Sequence, residues 1–387
     1  MDVLIRKATI LDPGSAYHGQ QMDISIQEGI ISEIRKKIST KTSQVIEGDQ
    51  LYVSIGWMDI GAQIGDPGFE HREDITSAAR AASAGGYTAV APFPNTYPTV
   101  DTKAGVLYLR QNSKDELVDF YPIGALSQGT KGKDITEMID MHQAGAVAFS
   151  DGSNPVQDSG LMMRTLLYVK AFDGLVVNQS HDQTIAPGGQ ANEGVVSTSL
   201  GIKGIPNMAE EIMLQRDLYL LEYTNSKLHV ANISTAGAVE MIRRAKKKGL
   251  NVTASVAALN LAYTDEAIHS FDSNFKVLPP LRGKTDMKAI KAGLKDGTLD
   301  LINSNHVPLE EEAKKLEFAY AKFGAIGLET SFAVANTHLK GILNTEQLVE
   351  KLAYNPRRLL QMDIPCIAKG EVANLTVFDP LKEWVFS

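Results

Sequence analysis

Apolar positions in the first ~50 residues fall in short, β-branched runs separated by turn signals, which predicts strands with no room for a helix. The runs are Val3-Leu4-Ile5, Thr9-Ile10-Leu11, Asp23-Ile24-Ser25-Ile26 and Gly29-Ile30-Ile31, and the breaks include Asp12-Pro13-Gly14 and Glu28-Gly29. After Val53 the rhythm changes to short apolar runs alternating with longer amphipathic stretches. Tyr87–Ala91 precedes a predicted helix at 102–112, Asp119–Ile123 precedes 133–143, Ala146–Phe149 precedes 160–172, and Leu175–Asn178 precedes 207–224. The last of these helices has Met208, Ile212, Leu214, Leu218 and Leu221 near helical spacing. Lys227–Val230 precedes 236–248, and Asn251–Ala254 and Leu299–Ile302 follow.

With the run from Tyr52 to Ile60 counted first, there are eight strand candidates. Alternation of this kind predicts a parallel sheet wrapped by helices, and eight units predict an α/β fold of the (β/α)8 TIM-barrel type. The tail returns to β-character over Gly370–Pro380, which predicts pairing with the N-terminal strands. The expected architecture is a barrel over 54–362 and a small β-sandwich module built from 1–53 and 363–387. A chain of 387 residues suits a barrel of roughly 250–300 residues plus such a module.

Composition narrows the function classes. A net charge of −8 argues against a nucleic-acid or membrane surface. The basic run Arg243-Arg244-Ala245-Lys246-Lys247-Lys248 reads as the solvated C-terminal end of a helix. No apolar run approaches the ~20 residues that cross a bilayer. The single cysteine, Cys366, precludes an intrachain disulfide, and the N-terminus lacks a signal-peptide pattern, so a cytoplasmic location is expected.

Several stretches then become specific. Gly56-Trp57-Met58-Asp59-Ile60-Gly61-Ala62-Gln63-Ile64-Gly65-Asp66-Pro67-Gly68-Phe69-Glu70 resembles the first barrel strand of dihydroorotases, whose pattern is G-F-x-D-x-H-x-H-x-R-x-P-G-x-E. Phe93-Pro94-Asn95-Thr96 is similar to the family's M-P-N-T, and Gly145–Gly152 to its G-x-x-x-F-S-D-D-G. Ile233-Ser234-Thr235-Ala236 resembles H-I-S-T-A without its histidine, Lys276–Arg282 resembles K-x-N-P-P-L-R, and Asn305–Leu309 stands where the family has D-H-A-P-H. Gly324–Thr330 and Asn355–Arg358 also match, so the resemblance runs through nearly the whole chain in order. The family pattern usually runs on past Trp384 to finish the β-module.

The resemblance implies a cyclic amidohydrolase that interconverts carbamoyl aspartate and dihydroorotate with zinc inside the barrel. Two residues spaced by two on a strand point to one side, so a pair of histidines there grips one metal. Here those positions are Gly61 and Gln63. Glycine has no ligand atom, and a neutral amide oxygen is poor for zinc. The histidine before Ile233 is Asn232, whereas Asp151 and His181 match competent ligands. The implied general base is the aspartate at position 305, which is Asn305, and an amide cannot accept a proton near neutral pH. Among implied substrate contacts, the arginine is Gly65, the asparagine before Pro279 is Leu278, the last histidine is Leu309, and only Asn95 remains.

These losses predict a non-catalytic homologue without cofactor, in which Asp151 and His181 face each other or water, and Leu278 and Leu309 fill vacated space. The resemblance implies a homodimer and, for non-catalytic homologues, assembly with aspartate transcarbamoylase. The alternative is an active hydrolase of dihydroorotate or another cyclic amide, with one weakly held zinc on Asp151, His181 and His306. A small-molecule binder using a pocket near Asn95 has no positive feature behind it. His306 reads as a hydrogen-bonded histidine beside Pro308 and His229 as a satisfied core histidine. His18, His71, His142, His269 and His338 read as surface groups, Thr184–Gly194 as a mobile loop, and Asp265–Asn274 as a loop over the sixth unit.

Overall fold

The computed structural model describes residues 2–39 and 44–386. Eight parallel segments form the barrel: Trp57–Ile60, Tyr87–Ala91, Asp119–Gly124, Ala148–Phe149, Val176–Gln179, Leu228–Ala231, Val252–Ala257 and Leu301–Asn303. The third is continuous through Pro122, which lacks an N–H: Tyr121 N–H donates to Val90 O (2.8 Å) and Ile123 N–H to Pro92 O (3.1 Å). The ring closes between the eighth and first segments mainly through side chains, with one backbone bond just beyond them. Ser304 N–H and Oγ donate to the Asp59 carboxylate (2.6 and 2.8 Å), Asn303 Nδ2 donates to Ile60 O (3.3 Å), and Gln63 N–H to His306 O (2.8 Å).

The barrel interior is a packed core, as the fold requires. Met58, Ile60, Ala89, Ala91, Phe93, Ile123, Ala148, Val177, Ala231 and Leu301 form one buried cluster inside it. A second, larger cluster lies between the strands and the surrounding helices and continues into the β-module.

The helices start where side chains cap them. Thr102, Asp158 and Thr235 each accept a backbone N–H from three residues on, opening Lys103–Asn112, Ser159–Lys170 and Ala236–Lys247. The helix over Asn207–Thr224 keeps the limits expected from its pattern but not the expected face. Met208 and Ile212 are about half exposed, while Glu210 and Asp217 are buried. The reason is tertiary: both carboxylates find buried donors, so polarity no longer directs them outward.

The stretch from Tyr52 to Ile60, read as one strand, is two. Tyr52–Ile55 pairs parallel with Val3–Leu11 and antiparallel with Leu375–Phe378, so it belongs to the module sheet, and Trp57–Ile60 opens the barrel. Gly56 makes the junction, because a β-carbon there would lie 2.0 Å from Thr88 Oγ1 and 2.2 Å from Asn374 Oδ1. Both chain ends therefore meet in one mixed sheet, which also holds Gln21–Gln27, Ile30–Arg35 and Gln44–Ile46. No helix among the described residues is long and apolar enough to cross a membrane.

Candidate functional site

Residues matched to the family site all sit at the C-terminal ends of barrel strands, where this fold places its chemistry. Gly61 and Gln63 follow the first strand, Asn95 the second, Asp151 the fourth, His181 the fifth, Asn232 the sixth, and Asn305 the eighth. The topology brings them to one mouth, and the hydrogen bonds there show what each now does.

At Gly61 the backbone has φ +92°, and a β-carbon would lie 2.8 Å from two ring atoms of Phe93. Phe93 is buried in the barrel cluster beside this position, with its N–H on Ala62 O (2.9 Å). The ring thus occupies the space into which a histidine at 61 would project. Phe93 was quoted in the sequence only as part of a matched motif. The signal that identifies it is the departure from methionine on the strand adjacent to the missing histidine.

Gly65 is closed in a different way. A β-carbon there would lie 2.2 Å from Phe69 O and 2.4 Å from Glu73 O, in a turn closed by Gly65 N–H to Glu73 O (3.0 Å) and Phe69 N–H to Gly65 O (2.6 Å). Backbone stands where an arginine stem would leave the chain.

Asn232 and Asn305 hydrogen-bond to each other: Asn232 Nδ2 donates to Asn305 Oδ1 (3.0 Å), and Asn305 Nδ2 donates to Leu278 O (3.2 Å). Both residues are left-handed, φ +56° and +48°, a conformation asparagine tolerates better than other residues with a β-carbon. Asn232 Oδ1 is buried without a hydrogen-bond partner among the described residues. It is a neutral amide oxygen, the wrong donor for zinc.

Asp151 was expected to face His181 or water, and its hydrogen bonds go instead to the chain after the third strand. Its carboxylate accepts Leu126 N–H and Ser127 N–H (both 2.9 Å) and the Ser127 hydroxyl. The His181 backbone N–H points to Met213 Sδ (3.1 Å). Burial, and then the nearby Arg282 guanidinium, hold the His181 imidazole below the usual histidine range. The Ser127 hydroxyl and the two N–H groups satisfy Asp151 where a metal ion would otherwise be its partner. The sequence offered no sign of this, because Ser127 lies in a different loop.

Asn95 uses both ends of its amide on the chain itself: Nδ2 donates to Asp151 O (3.0 Å) and Oδ1 accepts Ser153 N–H (3.0 Å). It holds the loop after the fourth strand. Leu278 packs with Ile185 and Phe323 against Ala186, Ile205 and Ala209, and Leu309 lies against Gly324.

The motif residues that are retained form scaffolding. Glu210 accepts Ser234 N–H (2.9 Å), Thr235 N–H (3.0 Å) and the Ser234 hydroxyl, with Arg282 at 3.9 Å. Arg282 also donates to Ser234 Oγ (3.1 Å), Asn192 Oδ1 (3.0 Å) and Ile205 O (2.6 Å). Burial pulls the Glu210 carboxyl up in pKa, and Arg282 with the Ser234 and Thr235 donors opposes it. His306 is satisfied: Nδ1 accepts Gly327 N–H (3.1 Å) and Nε2 faces Glu73 (2.9 Å). His229 lies between Thr253 Oγ1 (2.8 Å) and Ser255 Oγ (3.1 Å), and burial lowers its pKa to about 3. The stretch expected to be a mobile loop contains a strand, Ala191–Asn192, paired with Gly204–Ile205.

The positions supply one carboxylate committed to three donors, one imidazole and neutral amides, and no group of three or more His, Cys, Asp or Glu able to hold a metal occurs among the described residues. A catalytic zinc takes about three good protein ligands and a water. The residues present do not fit it.

A consequence of this rewiring is measurable. Burial pushes the Asp151 carboxyl up to about 6, partly offset by the Ser127 hydroxyl and the Ser127 and Leu126 N–H groups. A folded-state pKa above the unfolded one means that the native state holds the extra proton. The contribution of this group to stability is therefore greatest below pH ~4 and is lost as pH rises through about 6. Asp151→Asn keeps an oxygen for the two N–H donors and removes the titration. We expect the variant to be more stable than wild type at pH 7 by roughly 1–3 kcal/mol, with little difference at pH 4. Urea midpoints at the two pH values check this, and a variant less stable at pH 7 would refute it.

In architecture the protein is a (β/α)8 barrel with an attached β-sheet module. Its fold matches L-hydantoinase (dihydropyrimidinase) from Arthrobacter aurescens with a TM-score of 0.79 at 24% identity, over 96% of this chain and 84% of that one. A D-hydantoinase structure also matches at 0.79, with 21% identity over 100% and 88% of the two chains. The Dihydro-orotase-like family matches residues 52–238. A dihydroorotase from Acetivibrio thermocellus is 42% identical over 386 residues, covering 99% of this chain and 90% of the relative. One from Pelotomaculum thermopropionicum is 41% identical over 382 residues, covering 98% and 89%. The chain belongs to the dihydroorotase family.

Proposed function

We propose that this chain is a non-catalytic member of the dihydroorotase family, kept for its frame, and that its role is assembly with aspartate transcarbamoylase in pyrimidine biosynthesis. The observation that carries the loss of catalysis is the amide pair of Asn232 and Asn305. At positions where ring hydrolysis needs an ionisable metal ligand and a proton acceptor, two neutral groups hydrogen-bond to each other at 3.0 Å. Neither exchanges a proton near pH 7. Phe93 beside Gly61 and the three donors on Asp151 support the same reading, because the ring fills the space of a ligand side chain at 61 and the donors take the place of a cation on the carboxylate.

The assembly role is supported by what has been kept. The barrel core, the module sheet and the Glu210–Arg282 network remain although the reactive groups are gone. Purified chain is expected to hold less than about 0.1 zinc per chain even after incubation with the metal, since fewer than three good ligands remain. The same sample is expected to give no ring opening of dihydroorotate above the uncatalysed rate. Stoichiometric zinc together with turnover would establish the weak-metal hydrolase instead. Co-elution with aspartate transcarbamoylase of the same organism is expected, and clean separation of the two would remove the assembly role.

A further inference from the structure

The helix over Lys284–Asp296, on the outer face of the barrel before its eighth strand, carries four lysines at positions 284, 288, 291 and 295. The spacing of 4, 3 and 4 residues puts all four on one narrow stripe of an α-helix. Lys284 reaches Glu266 at 2.8 Å. Lys288, Lys291 and Lys295 have no ion pair or hydrogen bond among the described residues. The helix's own acids are turned away from the stripe. Asp286 accepts Ala236 N–H (2.8 Å) and Asn207 Nδ2 (3.2 Å), and Asp296 accepts Arg243 (2.8 Å) and Thr298 N–H (2.9 Å). Lys291 is half-buried, and burial alone holds its pKa below the ordinary lysine value.

Like charges three and four residues apart weaken a helix, so the stripe works against the element that carries it. It is also out of keeping with a chain of net charge −8. The lysines line a surface groove of about 350 Å³ with an apolar floor of Met287, Ala292 and Ile342, the last contributed by a separate turn. A solvated helix face needs no groove. A lysine stripe flanked by aliphatic side chains is the complement of a segment that presents carboxylates beside an aliphatic side chain.

We infer that this groove is the docking face for an acidic, amphipathic segment of the protein partner, whose carboxylates pair with Lys288, Lys291 and Lys295 while an aliphatic side chain enters between Met287 and Ile342. The inference rests on the assembly role proposed above and says where on the barrel that assembly is made.

The test titrates the full chain, wild type and K288E/K291E/K295E, against aspartate transcarbamoylase of the same organism by biolayer interferometry in ~0.1 M salt. The reversal variant is expected to bind at least about 30-fold more weakly, and K288R/K291R/K295R to stay within about threefold of wild type. Wild-type affinity is expected to fall about tenfold between ~0.05 and ~0.3 M salt. As a measurement on the unaltered chain, soluble poly-glutamate should displace the partner. Equal binding by wild type and the reversal variant overturns the groove and leaves the assembly role standing. Wild type that does not bind overturns the assembly role and the groove with it. Single-stranded RNA bound as tightly as the partner would also overturn the groove as a protein-docking face.

Discussion

Returning histidine to position 61 is expected to destabilise the protein by about 2–4 kcal/mol and not to restore a metal site. Two effects add. The backbone at Gly61 has φ +92°, which a residue with a β-carbon adopts at a cost, and the new β-carbon would lie 2.8 Å from the Phe93 ring. The ring cannot move away freely, because it is packed among Met58, Ile60, Ala91 and Ile123. Truncating it should relieve the clash, so Gly61→His with Phe93→Met is expected to recover more than half of the loss. That recovery distinguishes steric compensation from a general intolerance of position 61. Urea denaturation of the single and double variants measures it, with zinc analysis on the same samples. A single Gly61→His variant as stable as wild type and holding one zinc per chain would refute the account. Gly65→Arg is expected to be worse still, since its neighbours are the backbone oxygens of Phe69 and Glu73, which retreat only if the turn is rebuilt.

The second large effect lies in the scaffold. Glu210→Ala is expected to cost about 3–5 kcal/mol, because it leaves Arg282 buried without its counter-charge and frees three donors. Arg282 is 3% exposed and cannot turn to solvent without opening the loops around it. Glu210→Gln keeps oxygen for the Ser234 and Thr235 N–H groups but removes the same counter-charge, so it should cost less than Glu210→Ala only by the share that those hydrogen bonds carry. Urea midpoints for the two variants decide this. Equal losses would show that the counter-charge to Arg282 carries the whole effect and the hydrogen bonds none of it, and a small loss in both would show that the network does not hold the mouth together.

Most of the frame was legible in the sequence. The order of strands and helices follows from period-2 and period-3.6 patterning, which is local information; four of the barrel's helical stretches lie within two residues of the expected limits, and the one expected at 133–143 forms only over Met138–Gln143. So were the positions where site chemistry is missing, because glycine has no ligand atom and asparagine cannot take a proton wherever the fold puts them. Those facts are properties of single residues.

What tertiary structure alone decided is how the missing chemistry was replaced. Phe93 against Gly61 and Asn232 against Asn305 are pairings between separate strands. Asp151 meets Ser127, where the sequence suggested His181 or water. Glu210 and Asp217 turn inward on a helix whose apolar spacing pointed elsewhere, because Arg282 and Asn178 lie beneath them. The Tyr52–Ile60 run divides at Gly56 because Thr88 and Asn374 leave no room there for a β-carbon. Sequence determines which groups are available to make bonds. Only the closed barrel determines which of them meet, since buried polar groups take whatever partners the fold brings within reach.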